Sequence, residues 1–172
     1  MLNDNLAAGS QILPFYLADG SSDVALIRGR MACVGTAASS IIERHEYPDL
    51  VGRLQAEALA LAACLSSTLK FDGVFTLQAK GDGPVRTLFA DITEAGHLRG
   101  YCAVDEDQSQ LAALQLAQPN DDAVHIGPLM GGGYIAFTVD DDVIGRRYQG
   151  IVELDGPHLS CLLYTSDAAD EP

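Results

Sequence analysis

The chain has 172 residues, 48% apolar and 20% charged, which is enough for one domain with a real core and too apolar for a disordered chain. Its 24 acidic and 10 basic residues give a net charge of −14, so a nucleic-acid backbone is repelled over most of the surface. No apolar run approaches the roughly 20 residues of a membrane span, and the start, MLNDNLAAGS, lacks the cationic and apolar regions of a signal peptide, so a cytosolic protein is expected.

The first predicted element is a strand within DVALIRGRMACVG, residues 23–35. Alternation places Ala25, Ile27, Met31 and Cys33 on one side and Arg28 and Arg30 on the other. The arginines are read as solvated surface cations. A short helix follows over TAASSIIERH. The strongest helix signal is residues 48–69, where Pro48 suits the first turn and Asp49 the positive end of the dipole. Leu50, Leu54, Leu61, Leu65 and Leu69 recur near helical spacing among many alanines, so this helix is expected to be covered on most sides.

From Phe71 the period changes to two. Strands are predicted over 74–80, 85–93 and 97–104, joined by GDGP and EAGH turns into an antiparallel meander. Phe75, Leu77 and Ala79 alternate with Thr76, Gln78 and Lys80, which gives the first strand an apolar and a polar face. A short helix within DEDQSQLAALQLAQPNDDA ends before Pro119, with its acids read as a solvated cap. Two further strands, about 133–139 and 147–154, flank an acidic turn.

Few constellations point to catalysis. GPLMGGGY, with Gly131, Gly132 and Gly133, is the one glycine cluster, but it leads into a strand, whereas a phosphate loop leads into a helix. Asp140, Asp141 and Asp142 offer hard oxygens for a divalent cation, yet adjacent residues at a strand end do not converge on one centre. The histidines at 45, 97, 125 and 158 fall near predicted turns with no nucleophile at a recognisable spacing. Cys33, Cys64, Cys102 and Cys161 form no CxC or CxxC pair, and the first three are read as small buried residues in reduced form. By elimination the chain reads as a binding protein and not an enzyme. The alternative is a small-molecule or metal-dependent enzyme built on the 131–133 loop and the 140–142 turn.

The segments LKFDG, QAKGDGPVR, LRGY and RYQGIV stand in an order and approximate spacing that resemble the N-terminal core of the heat shock protein 33 family. The resemblance runs from about Phe15 to about Leu159. It implies an α+β fold of largely antiparallel sheets packed with helices, and a bacterial, cytosolic, ATP-independent holdase that binds unfolded clients under oxidative or heat stress and tends to form a homodimer. It also implies a zinc-binding module, beyond a linker, whose CxC and CxxC ligands are absent from these residues. With that resemblance, residues 1–160 are read as the chaperone core. Residues 161–172, CLLYTSDAADEP, are read as a non-native tail matching a frame of a common sequencing adapter. Candidate client-binding or interface residues are Leu54, Leu61 and Leu65 on the long helix and Phe75, Phe89 and Phe137 on the sheet. No cofactor is expected to bind this stretch itself.

Overall fold

In the computed structural model, residues 10–18, 27–105, 109–117, 124–143 and 145–162 are described. Strands β1 (Gln11–Leu17) and β2 (Ile27–Cys33) pair antiparallel as a two-stranded ribbon. Helices α1 (Gly35–His45) and α2 (Asp49–Ser66) follow. The strands β3 (Gly73–Gly81), β4 (Val85–Thr93) and β5 (Leu98–Val104) form the expected meander. After α3 (Ser109–Ala117) and α4 (Ile126–Met130), strands β6 (Gly133–Asp141) and β7 (Arg146–Glu153) complete a five-stranded sheet. Its order is β5-β4-β3-β6-β7, antiparallel throughout.

The period-two pattern of residues 74–93 works because one face meets α2. Leu77 lies between Ala90 and Phe137, and Ala79 lies between Leu88 and Ile135, so these residues share the inner face. Helix α2 packs chiefly against β4 and also touches β5, β3 and β2. Leu50, Val51, Leu54, Ala58, Leu59, Ala62 and Ala63 supply its buried side, and the alanines let the helix approach the sheet closely. Leu111, Ile126, Leu129, Met130, Leu159 and Leu162 belong to the same core.

Two turns have clear physical causes. Helix α1 stops at Glu46, whose φ of 51° is left-handed. Helix α2 ends at Ser66 and not at residue 69, because the hydroxyls of Ser66, Ser67 and Thr68 donate to the carbonyls of Ala63, Cys64 and Leu65. Leu69 therefore lies beyond the helix and is exposed. Of residues 161–172, Cys161 and Leu162 are described: they form a helical turn with Leu162 fully buried.

Candidate functional site

Large exposed apolar side chains gather on the two sets of strands. On the ribbon, the register aligns Leu13 with Met31, Phe15 with Gly29 and Leu17 with Ile27, which puts all five of these apolar side chains on one face. That face looks outward: Leu13 is 51% exposed, Phe15 39%, Leu17 53%, Ile27 56% and Met31 60%. A Cβ at Gly29 would lie 2.0 Å from Phe15 Cζ, so the ring lies flat over the glycine.

The other ribbon face turns toward the core only at its Ile12–Ala32 end, whereas Pro14, Tyr16 and Arg28 on that face are exposed. Ile12 and Ala32 pack against the core cluster, and the Cys64 thiol faces the Arg30 carbonyl at 3.9 Å. The expected orientation of β2 is therefore inverted. Its apolar side faces water, while Arg30 is half-buried with Nε lacking a hydrogen-bond partner; Arg28 alone of the pair is exposed. Alternation on one strand identifies two faces but cannot say which one the rest of the chain covers.

On the outer face of the five-stranded sheet, opposite α2, a polar row crosses all five strands: Arg99, Asp91, Thr76, Thr138 and Gln149. Asp91 is buried and accepts from the Thr76 hydroxyl at 2.7 Å and from Arg99. Gln149 Nε2 donates to Thr138 Oγ1 at 2.9 Å. The next row holds Tyr101, Phe89, Gln78, Ala136 and Ile151, with the tyrosine and the isoleucine at its two ends exposed.

The six residues named from the sequence are not brought together. Leu54 and Phe75 are fully buried core residues and offer no surface in the folded chain. Leu61 and Leu65 are half-buried against that core. Phe137 is half-buried on the inner face beside Leu77, whereas Phe89 sits on the outer face beside Gln78. The exposed set on β1 is missed because QILPFYL lacks alternation and carries Pro14, which speaks against a strand.

The cysteines divide by environment. Cys33 is exposed, contrary to expectation, because it lies at the end of the outward ribbon face; Cys64 is half-buried and Cys102 is buried. Burial pushes the Cys102 thiol up to about 12, and its Sγ donates to Gln55 Oε1 at 3.1 Å. Burial also raises Cys64. It raises Glu57 as well, whose carboxylate accepts the Val124 amide at 2.8 Å.

The glycine loop has a structural role. Gly131 N donates to the Gly127 carbonyl, Gly132 N donates to Asp82 Oδ1 at 2.8 Å, and Gly83 N donates to the Met130 carbonyl. A Cβ at Gly81 or Gly133 would lie 2.0 Å from Met130 O or 1.9 Å from Lys80 O. The loop is thus the partner of the GDGP turn, and a carboxylate occupies the place where a phosphate would sit. The acidic triplet diverges: Asp140 makes a two-pronged ion pair with Arg147 that lowers its carboxyl, while Asp141 is buried and accepts the Val143 amide. Among the described residues no group of three or more His, Cys, Asp or Glu could hold a metal, and no helix is long and apolar enough to cross a membrane.

Residues 12–163 match the family model described as Hsp33 protein. The chain belongs to the Hsp33 family. Its relatives include the 33 kDa chaperonin of Caulobacter vibrioides, 38% identical over 134 residues, which cover 78% of this chain and 43% of that protein. The 33 kDa chaperonin of Ectopseudomonas mendocina is 37% identical over 146 residues, 84% of this chain and 45% of that protein. The crystal structure of the Thermotoga maritima 33 kDa chaperonin, an Hsp33 homologue, superposes with a TM-score of 0.71 at 20% identity, covering 92% of this chain and 50% of the other. The α+β fold expected from the sequence is therefore the Hsp33 fold. The chain spans less than half the length of these curated relatives.

Proposed function

We propose that this chain is the client-binding core of an ATP-independent holdase that captures unfolded proteins under oxidative or heat stress. The observation that carries the reading is the exposure of large apolar side chains on folded β surfaces, on the ribbon and at the ends of an outer-sheet row. A net charge of −14 supports it, because repulsion between like-charged particles keeps a client-laden complex dispersed. Its relatives are named chaperonins. The finer reading places the protein in the bacterial cytoplasm, as a homodimer without nucleic-acid or membrane partners. Zinc-dependent redox control belongs, on this reading, to a segment beyond these residues. No catalytic residue is assigned.

Light scattering of a heat-unfolding client, with the protein at equal molarity and without ATP, tests the reading. Suppression of scattering is expected both with and without reductant. A folded sample that leaves scattering unchanged overturns the proposal, and protection that reductant abolishes overturns the assignment of the switch to a separate segment.

A further inference from the structure

We infer that the outward face of the β1–β2 ribbon is the seat for an extended apolar segment of an unfolded polypeptide. This rests on the holdase reading and adds to it the place where a client docks.

The ribbon exposes what folding ordinarily hides. Five large apolar side chains face water, while the opposite face turns the half-buried Arg30 toward α2 with Nε unpartnered. A buried donor without a partner is costly, and so is exposed apolar surface. Ile12 and Ala32, packed in the core, hold this orientation in place. Among the described residues nothing covers this apolar face, as a capture surface requires.

The patch fits a single strand-like segment. At about half exposure, five such side chains present on the order of 500 Å², the size of a large and often functional patch on a monomer. A stable dimer needs roughly 800 Å² from each partner. Two paired seven-residue strands run about 23 Å at 3.3 Å per residue, the span of about seven extended client residues. Pro14 lacks an amide donor, which discourages another strand from joining at the β1 edge, so the contact is through side chains on the face.

Charge narrows the client further. Within a chain of net −14, the two strands contain no acid, so the outward face carries no negative charge of its own, while Arg28 and Arg30 lie on the opposite face. An apolar segment flanked by acidic residues therefore meets less repulsion here than over the rest of the surface.

The test is binding of fluorescein-labelled, reduced and carboxymethylated lactalbumin, a permanently unfolded chain, followed by anisotropy. The double variant Ile27→Lys with Met31→Lys is expected to bind about tenfold more weakly, as the loss of two apolar anchors implies. Leu116→Lys, at an exposed position on α3, is expected to change affinity less than twofold. No binding by the wild-type chain removes the holdase reading and this inference with it. Wild-type binding that the double variant retains removes the inference alone. A wild-type dimer that the double variant converts to monomer in sedimentation velocity also overturns it, since a second copy would then cover the face.

A second measurement holds even if the lysines unfold the chain. Photo-methionine in the wild-type protein places a diazirine at Met31, which is exposed, at Met130, which is fully buried, and at Met1, whose crosslinks peptide mapping separates from those of Met31. Irradiation with bound client is expected to crosslink Met31 to the client. Crosslinks from Met31 only to another copy or to its own chain, or no Met31 crosslink while client is bound, overturn the inference.

Discussion

Gln55 lies over Gly100: a Cβ at position 100 would stand 2.4 Å from Gln55 Nε2 and 3.2 Å from Leu59 Cδ2. Gln55 is fully buried, donates to the Phe89 carbonyl at 3.1 Å and accepts from the Cys102 thiol, so it cannot swing aside without leaving those groups unpaired. Gly100→Ala is expected to destabilise the fold by about 1–3 kcal/mol. In a Gln55→Ala background the same change should cost measurably less, as denaturant titration of a double-mutant cycle will read. Equal costs in both backgrounds would refute the contact.

Cys102 makes stability fall at alkaline pH. Its thiol is raised from 9.0 to about 12 by burial, so the unfolded chain loses the proton first as pH rises. The stability it contributes is complete below pH 9 and is lost between 9 and 12, by up to about 1.4 kcal/mol per pH unit from this group. Cys102→Ala is expected to flatten the decline in urea-unfolding free energy from pH 9 to 10.5. An unchanged slope would show that the thiol is not held protonated. Thiol labelling offers an independent check: Cys33 should react in the native state and Cys102 only on unfolding.

Thr76 serves the buried carboxylate of Asp91, to which its hydroxyl donates at 2.7 Å. Thr76→Val keeps the shape and removes the donor, so a loss of about 1–2 kcal/mol is expected. Calorimetry should show a Tm lower by roughly 2–8 °C for a chain of this size. A variant as stable as the parent would mean that Arg99 alone satisfies the carboxylate.

Asp82 ties the GDGP turn to the glycine loop through the Gly132 amide at 2.8 Å. Asp82→Ala is expected to cost about 1 kcal/mol. In the parent protein, millimolar phosphate or ATP should leave Tm unchanged because the loop amides of Gly131 and Gly132 already have acceptors, and Mg²⁺ should do likewise because Asp140 and Asp141 already engage Arg147 and the Val143 amide. A ligand-dependent rise in Tm would revive the enzyme alternative.

Much of the fold was legible in the pattern of residues. Phe75, Leu77 and Ala79 announce a half-buried strand, and the GDGP and EAGH turns bound it and its neighbours, because side-chain alternation and turn chemistry are local effects. The α4 helix was not legible, since five residues containing Gly127 and Pro128 carry no helical period and owe their shape to Ile126, Leu129 and Met130 entering the core. The client-binding candidates fared differently from one another. Leu54 and Phe75 are apolar in the sequence and core in the fold, because hydrophobicity alone does not separate a residue that faces α2 from one that faces water.

By itself the sequence determined the family, the antiparallel meander and the long helix, because short motifs, turn residues and hydrophobic period are properties of neighbouring residues. Only the tertiary structure decided which faces those elements turn to solvent. It set Phe89 and Phe137 on opposite sides of one sheet, closed the glycine loop onto Asp82, and left Leu13, Phe15, Leu17, Ile27 and Met31 outward. The physical reason is that exposure depends on what a distant segment covers, and no local pattern records where that segment comes to rest.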